Sequence, residues 1–360
     1  MGNPQLNIHR DISKAQTLPA EFYTRRDYFD LSKEKIFAKS WQMITDTHSF
    51  DEHNTYPFIF LNSYLDEPLL LVKNDDKYLC LSNVCTHRAH VVVQDHCKIR
   101  HLQCPYHGRQ YNLTGQFRSM PGFEGVKSFP TERDNLKRFS HFEWHLFIFA
   151  SLNPIVNIGE ILQDIDRRLI DFPFHKLKFD PQKSATYEID THWALYCENY
   201  LEGFHLPFVH GGLAKDINLK GYNTILLDNG LLQRAEGLEG GDNFHLSEKS
   251  SDAGKNIYAY YYWIFPNLML NFYPWGLSVN IIEPIRPEKT RIRFLSYPIN
   301  PGGQPLGNTS NVDNVELEDQ EVVTQVQKGI KSLAYESGRY SAIHEKGVHH
   351  FHRLIADYLQ

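Results

Sequence analysis

The sequence predicts an α+β protein in which a small antiparallel β domain precedes a larger domain of helices packed on a second antiparallel sheet. Short apolar runs separated by turn residues fill the first half of the chain. Longer apolar strands, with helical patterns before and after them, fill the second half. The length of 360 residues is typical of about two domains.

The elements of the first half follow in order. Residues 1–37 are polar with a helical pattern, and we expect this segment to pack on the second domain. Residues 38–153 form the β domain, with apolar runs at 57–61, 69–72, 78–82 and 146–150. The stretch Leu152-Asn153-Pro154 is expected to interrupt regular secondary structure, because it contains a proline, and it is the expected domain boundary.

Residues 154–360 form the second domain. Helices are predicted at 161–169 and 193–209, and strands at 223–227, 257–265, 268–272, 278–283 and 290–297. A loop opens at Pro301 and extends to about residue 314. A long helix with an apolar stripe follows at about 317–333.

Composition excludes several classes of function. The net charge is −6, and no block of five like charges is present, so nucleic acid is not an expected partner. The polar N-terminus lacks the apolar core of an export signal, and Pro266 and Pro274 interrupt the most apolar stretch. We therefore expect a cytoplasmic protein without a membrane partner. Its five cysteines are more typical of metal binding than of disulfides.

The first group of metal-ligand residues consists of two mixed pairs. Cys85 and His87 are followed, after sixteen residues, by Cys104 and His107. Two thiolates on one iron and two imidazoles on the other are the ligands of a Rieske [2Fe–2S] cluster. A structural zinc site also takes two Cys and two His, but zinc fingers usually pair Cys with Cys and His with His.

The run CTHRA…CPYHGRQYNLTGQF closely resembles the Rieske domain signature, including Gly108 and Tyr111 after the second pair. Cys80 and Cys97 lie outside that pattern and are expected to be small packed residues. Cluster sulfurs need hydrogen-bond donors. Backbone amides of the two loops, or the Tyr106 hydroxyl, are the candidates.

The second group contains His205 and His210, five residues apart. Pro207 is expected to break the helix, so that the two imidazoles can turn toward one point. Two histidines and one carboxylate form the facial triad of non-haem Fe(II) oxygenases, which leaves positions open for O2 or substrate.

The run WALYCENYLEGFHLPFVH resembles the mononuclear-iron motif of Rieske oxygenase α subunits, in which a Trp, a Glu-Asn pair, an acidic residue and two His recur in this order. The resemblance extends from about Trp41 to the C-terminus. It is strongest to the choline monooxygenase-like branch, in CENYLEGFHLPFVHGGLAKDINLKGYNTIL and IFPNLMLNFYPWGLSVNIIEP. It implies a Rieske domain at 38–153 and a catalytic domain of the helix-grip (Bet v 1/START-like) fold at 154–360.

The resemblance also implies roles for individual residues. Asn199 and Glu202 would be catalytic, and Glu202 stands where the family usually has an Asp that bridges the Rieske His of one subunit to an iron-ligand His of the next. A solvated surface glutamate is the alternative. The third iron ligand would be Asp319, near the start of a C-terminal helix. The rival carboxylates are Asp313, Glu316 and Glu318. A favourable interaction with the helix dipole could equally explain an acidic residue near the start of a helix.

The activity implied is O2-dependent hydroxylation or oxidative N-demethylation of a small quaternary ammonium substrate by a head-to-tail homotrimer. No GxGxxG motif is present, so electrons from NAD(P)H would arrive through a separate flavin- or ferredoxin-type reductase. The alternatives are an aromatic-ring mono- or dioxygenase, a non-catalytic Rieske electron carrier, and a zinc-stabilised binding module.

Aromatic residues near the second motif could form a cation–π cage for a quaternary ammonium group. They could equally fill the core of the sheet, or stack on an aromatic substrate. The candidates are Tyr200, Phe204, Phe208, Tyr260, Tyr262, Trp263, Phe272, Tyr273 and Trp275.

Overall fold

The computed structural model describes residues 6–209, 222–300 and 309–360. The chain forms two compact units, one of residues 38–154 and one of residues 1–37 together with 155–360. The N-terminal segment therefore belongs to the same unit as the C-terminal half. Among the described residues, no helix is both long and apolar enough to cross a membrane.

The unit of residues 38–154 is built from two antiparallel sheets. Its strands are β1 (Gln42–Asp46), β2 (Thr55–Phe60), β3 (Glu67–Asn74), β4 (Lys77–Ser82), β5 (Leu102–Gln103), β6 (Gln110–Tyr111), β7 (Phe117–Ser119), β8 (Arg138–Trp144) and β9 (Phe147–Ser151). Six of them form a sheet in the order β1-β9-β8-β4-β3-β2, and β5-β6-β7 form a small second sheet. Leu70, Leu81, Leu102 and Leu136 form part of a core in which Cys85 and Cys104 are also buried.

The larger unit is built on one seven-stranded antiparallel sheet. Its strands are β10 (Asp180–Ile189), β11 (Asn223–Leu227), β12 (Gly230–Glu236), β13 (Ile257–Ile264), β14 (Leu268–Tyr273), β15 (Gly276–Arg286) and β16 (Lys289–Pro298). The order is β10-β16-β15-β14-β13-β12-β11, so that strands β11 to β16 form a meander and β10 pairs with the last of them.

The helices of this unit are α1 (Ala20–Thr24), α2 (Arg26–Lys35), α3 (Gly159–Arg168), α4 (Trp193–Tyr200), α5 (Leu206–Val209), α6 (Thr309–Ile330) and α7 (Lys346–Leu359). Tyr261 and Trp263 of β13 lie on the face that meets α4 and α7, where the Trp263 ring contacts Phe351 at 5.1 Å. Tyr262 lies on the opposite face and donates to Asp164 of α3 at 2.8 Å. The predicted α+β class with two antiparallel β units is confirmed.

In the larger unit, two of the described strands were not predicted from the sequence. Strand β10 is an edge strand with mostly exposed side chains, so it carries no apolar alternation. Strand β12 carries Gln233 and Arg234 at buried positions. Both are paired there, because Gln233 Nε2 donates to the Tyr200 carbonyl at 2.6 Å and Arg234 Nη1 to Asp252 at 2.7 Å.

Two helix boundaries were wrong. The helix predicted at 193–209 ends at Tyr200, and a separate short helix begins at Leu206. The helix predicted from about residue 317 begins at Thr309, within the stretch predicted as loop. Both errors arose at polar or glycine-bearing stretches, where periodicity is a weak signal.

Candidate metal centres

The two Cys/His loops of the smaller unit have the same backbone structure. The amide of Cys85 donates to the carbonyl of His90, and the amide of Ala89 to that of Cys85. The amide of Cys104 donates to the carbonyl of Arg109, and the amide of Gly108 to that of Cys104. Ala89 (φ 57°) and Gly108 (φ 72°) occupy the same left-handed position four residues after each cysteine. The two loops therefore present their ligand residues as a matched pair.

Within that pair, thiols lie beside thiols and imidazoles beside imidazoles. Cys85 and Cys104 are buried, with 3% and 2% of their surface exposed. The rings of His87 and His107 face each other nearly perpendicularly, with centroids 4.9 Å apart. Burial raises the pKa of the Cys85 thiol, but the Tyr111 hydroxyl, the His87 and Arg88 amides and the neighbouring Cys104 outweigh it and hold the pKa below its ordinary value. This arrangement fits two thiolates on one iron and two imidazoles on another.

Tyr111, rather than Tyr106, is the side-chain donor to sulfur. The Tyr111 hydroxyl lies 3.3 Å from Cys85 Sγ and is itself fully buried. Tyr106, the candidate named from the sequence, is instead 53% exposed beside His107. Cys80 is buried, and Cys97 is half-buried with its sulfur 3.2 Å from Thr55 Oγ1.

The second group of candidate ligands lies at the junction between α4 and α5 of the larger unit. The chain leaves α4 at Leu201, and His205 directly precedes α5, with its carbonyl accepting from the amides of Phe208 and Val209. Pro207 therefore lies in the first turn of a new helix, where proline is tolerated, and does not break a continuous one. The expectation about Pro207 was wrong, although the chain does turn at this place.

Two carboxylates flank the His205 ring. Glu202 Oε1 lies 2.6 Å from Nδ1, and Asp319 Oδ1 lies 3.6 Å from Nε2. The Asn199 amide in turn donates to Asp319 Oδ1 at 2.7 Å. The Glu202 side chain is 13% exposed, which excludes a freely solvated surface glutamate. His205 Nε2 and Asp319 are thus brought together as two neighbouring ligands of one metal ion would be.

The position of Asp319 removes one alternative explanation for it. Helix α6 begins at Thr309, so Asp319 lies in its third turn rather than its first, where an interaction with the helix dipole would act. Of the rival carboxylates, the side chains of Asp313 and Glu316 lie outside the described part of the structure. His210 also lies outside it. Among the described residues, no three His, Cys, Asp or Glu side chains form a group that could hold one metal ion.

A buried polar network behind α4 was missed by the sequence analysis. Tyr23 donates to Glu198 Oε1 at 2.7 Å, and His352 Nε2 lies 3.1 Å from the same oxygen, although not aligned for a hydrogen bond. The other ring nitrogen of His352 lies 2.6 Å from the Tyr340 hydroxyl. Glu198 was visible in the motif beside Asn199, but its partners come from both ends of the chain.

The aromatic residues near the second motif divide between core and site. Tyr260, Tyr262 and Phe272 pack on the face toward α3 and its following loop, as the core-filling alternative predicts. Another cluster consists of four half-buried tyrosines: Tyr222, Tyr258, Tyr261 and Tyr273. Of these, the sequence analysis named only Tyr273. The cluster lies beside the ligand loop, since a Cβ added to Gly203 would come within 3.0 Å of the Tyr222 ring.

Comparison with known families identifies both units. Residues 40–130 match the Rieske [2Fe-2S] domain, and residues 177–360 match the ring hydroxylating alpha subunit (catalytic domain). The chain belongs to the ring-hydroxylating alpha subunit family. The predicted family, its Rieske and catalytic domains, and its class as a Rieske non-haem iron oxygenase are confirmed. Its cofactors are accordingly a Rieske [2Fe–2S] cluster and a mononuclear iron, and it works with O2 and a reductase.

Known members of the family cover nearly the whole chain. A carnitine monooxygenase oxygenase subunit of Escherichia coli K12 is 28% identical over 97% of this chain and 96% of its own length. A chloroplastic choline monooxygenase of Arabidopsis thaliana is 26% identical over 96% of this chain and 83% of its own length.

Solved structures share the fold. The quaternary ammonium Rieske monooxygenase CntA superimposes with a TM-score of 0.79 at 23% identity, over 99% of this chain and all of that one. Naphthalene 1,2-dioxygenase from Rhodococcus sp. superimposes with a TM-score of 0.74 at 15% identity, over 95% and 94% of the two chains.

Proposed function

We propose that this alpha subunit is the oxygenase component of a monooxygenase that hydroxylates or N-demethylates a small quaternary ammonium compound. The reaction inserts one oxygen atom of O2 into a C–H bond of the substrate and reduces the other to water, using two electrons and two protons. Hydroxylation of a carbon attached to nitrogen gives a carbinolamine, whose C–N bond then breaks to release the amine and an aldehyde. Hydroxylation of a carbon that already bears a hydroxyl gives an aldehyde hydrate.

Cys85, His87, Cys104 and His107 would hold the [2Fe–2S] cluster, and His205, His210 and Asp319 would hold the mononuclear iron. When bound, the cluster carries single electrons and the mononuclear iron activates O2. Support for this assignment comes from the matched Cys/His loops and from the closeness of His205 to Asp319.

The side chains around His205 would prepare it for metal binding. Because Glu202 accepts at Nδ1, the proton of the neutral ring resides there, and Nε2 on the Asp319 side is the unprotonated nitrogen, the form that can bind a metal. Asn199 donates to one oxygen of Asp319 and thereby fixes the orientation of that carboxylate. Glu202 and Asn199 thus orient one proposed ligand each.

The substrate class rests on two lines of support. The relatives named for choline and carnitine act on quaternary ammonium compounds, which cannot donate hydrogen bonds. Such a cation is held by aromatic faces through cation–π attraction, and the cluster of Tyr222, Tyr258, Tyr261 and Tyr273 beside the ligand loop offers several.

The observation that carries the proposal is the 3.6 Å approach of His205 Nε2 and Asp319 Oδ1, from separate helices, in a chain that also has a Rieske domain. The test is a screen of NADH and O2 consumption with a surrogate reductase, comparing choline, carnitine and betaine-like compounds with benzoate-like ones. We expect consumption, with formation of an aldehyde or a demethylated amine, only in the first group. Turnover confined to the second group would instead favour an aromatic-ring oxygenase.

Metal analysis distinguishes the remaining alternative. After anaerobic loading with Fe(II), we expect three irons per chain, two in the cluster and one in the mononuclear site. Only two irons per chain would favour a non-catalytic electron carrier.

We further propose a homotrimer, a flavin- or ferredoxin-type reductase that oxidises NAD(P)H, and a cytoplasmic location. In the trimer, Glu202 would connect His205 to the Rieske histidine of a neighbouring subunit. Support comes from the engagement of Glu202 with His205 and from the inter-subunit electron transfer ascribed to the related quaternary ammonium monooxygenase. A reducing compartment suits a chain whose cysteines include cluster-type thiols.

A further inference from the structure

The Rieske unit contains a buried cation whose role is not explained by the four proposed ligands. Arg109, two residues after His107, is 2% exposed. Its guanidinium carbon lies 5.0 Å from the Phe117 ring centroid, 5.4 Å from Phe129 and 5.9 Å from Tyr111. Burying a guanidinium is costly unless it is paired, so a specific partner is required.

That partner is Asp134. Arg109 Nη2 lies 2.5 Å from Asp134 Oδ1, and the other carboxylate oxygen accepts from the Thr131 amide at 2.7 Å. Burial raises the pKa of Asp134, but the Thr131 amide and Arg109 outweigh it and leave the pKa below its ordinary value. The two residues thus form a pair of opposite charges in which the guanidinium is buried and the carboxylate is 18% exposed.

The pair joins the two cluster-binding loops. On one side, the Arg109 carbonyl accepts from the Cys104 amide at 2.8 Å. On the other side, the Asp134 carbonyl accepts from Thr86 Oγ1 at 2.9 Å, and Thr86 contacts the Tyr111 hydroxyl at 3.0 Å through both its amide and its side chain. That hydroxyl is the one that lies 3.3 Å from Cys85 Sγ.

We propose that Arg109 and Asp134 are positioning residues that set the reduction potential of the Rieske cluster. The inference rests on the proposed function only in assigning the cluster to Cys85, His87, Cys104 and His107. The pair acts by placing opposite charges beside the loops. The contacts to the loops are made by the backbone carbonyls of Arg109 and Asp134, which side-chain substitutions retain. Net charge and hydrogen bonds to sulfur are two of the factors that set the reduction potential of such clusters.

Charge predicts opposite shifts for the two partners. In Arg109→Gln the Asp134 carboxylate is left without its cation, so adding an electron to the cluster becomes harder and the potential falls. In Asp134→Asn the guanidinium is left without its anion, and the potential rises. The double variant returns close to the wild-type potential, and Arg109→Lys, which keeps the charge, stays closer to it than Arg109→Gln.

The experiment is a redox titration of the full-length loaded protein, followed by visible absorbance and EPR at fixed pH. We expect each single variant to change the ratio of oxidised to reduced cluster at a given potential by roughly tenfold, which is about 59 mV for a one-electron couple. Arg118→Gln, which removes an exposed guanidinium from the same unit, is the matched control and is expected to leave the potential unchanged.

The outcomes separate this inference from the proposed function. If Arg109→Gln and Asp134→Asn shift the potential in the same direction, or not at all, the charge role is overturned. If Arg109→Gln fails to assemble the cluster, the sign of the shift in Asp134→Asn still decides. A wild-type protein without the visible spectrum and EPR signal of a Rieske cluster would instead contradict the proposed function itself.

Discussion

At the scale of single residues, the ligand loop shows how a carboxylate longer than the family's usual Asp is accommodated. One oxygen of Glu202 meets His205 Nδ1, and the other accepts from the amides of Phe204 and His205. The Glu202 side chain thus folds back on its own loop. Each carboxylate oxygen has two lone pairs, so Glu202 retains capacity for one more donor, as a bridge to a further histidine requires.

Asn199 offers the most direct test of ligand orientation. In Asn199→Ala the Asp319 carboxylate loses its amide donor, and we expect the affinity of the mononuclear site for Fe(II) to fall about 10–100-fold, as is typical when a partner of a metal ligand is removed. Fe(II) titration of protein with a preassembled cluster measures it. Asn256→Ala, at an exposed position of the same unit, should bind Fe(II) like the wild type. Equal affinities in the two variants would contradict the role.

His192 predicts a pH dependence of stability away from both metal centres. It is fully buried among the rings of Phe22, Tyr23 and Phe29, and burial lowers its pKa to about 3. In the unfolded chain the pKa is about 6.5, so the unfolded state takes up the proton first as pH falls. The stability contribution of neutral His192 is complete above pH 6.5 and is lost progressively toward pH 3.

At pH 5 this loss amounts to about 2 kcal/mol. The variant His192→Asn keeps a side chain able to cap α4. Between pH 7 and pH 5, we expect its free energy of unfolding to decrease by about 2 kcal/mol less than that of the wild type. Urea unfolding at the two pH values measures it. The exposed histidine variant His175→Asn should retain the wild-type pH dependence. The same slope in His192→Asn and the wild type would rule out this histidine as the cause.

At the scale of elements, the site depends on where α4 ends and how α7 packs against that end. Tyr200 anchors the last turn of α4 to the sheet, because its hydroxyl donates to Asn271 and its carbonyl accepts from Gln233. Gly347, in the first turn of α7, approaches the Leu201 carbonyl directly after that turn. The position of the ligand loop therefore follows from close packing of two helices and a sheet.

Two helical glycines, one closely packed and one with open space around it, allow the effect of close packing on stability to be compared with that of helix propensity. A Cβ at Gly347 would lie 2.2 Å from the Leu201 carbonyl oxygen and 2.8 Å from Leu231, so we expect Gly347→Ala to destabilise the larger unit by about 1–3 kcal/mol. A Cβ at Gly329, in α6, would meet nothing within 4 Å, and Gly329→Ala should stabilise by about 0.4–1 kcal/mol. Chemical unfolding compares them, and a Gly347→Ala variant as stable as Gly329→Ala would refute the packing argument.

At the scale of the whole molecule, the chain is two compact units with separate cores, and each contains one of the candidate centres. The cluster-type ligands all lie in the smaller unit, and His205 and Asp319 both lie in the larger one. The inter-subunit electron transfer proposed above can therefore be tested with mixed oligomers in which each kind of subunit lacks a different centre.

We predict that two inactive variants complement each other. Cys104→Ser removes a proposed cluster ligand and Asp319→Ala a proposed iron ligand, so each alone should lack activity. In a randomly mixed head-to-tail trimer, about one quarter of the interfaces join an intact cluster to an intact iron site of the next subunit. Co-expressed and co-purified variants should recover up to that fraction of substrate-dependent O2 consumption. Mixtures assembled from separately purified trimers that do not exchange subunits are the control, and an inactive co-expressed mixture would argue against inter-subunit transfer.

The sequence by itself determined the features that are local along the chain. The two Cys/His pairs and the Glu202–His205 loop are each contained within a few residues, so their spacing identified the candidate ligands and, through them, the family. Apolar alternation located most strands for the same reason, because neighbouring positions on a strand report burial directly.

Only the tertiary structure decided which distant side chains meet. It selected Tyr111 instead of Tyr106 as the donor to Cys85, brought Asp319 to His205 from the third turn of α6, and paired Arg109 with Asp134. Strand β12 was not predicted from the sequence, because its buried polar residues Gln233 and Arg234 bond to partners outside the strand. Such contacts depend on how whole elements pack, and spacing within one segment carries no information about that packing.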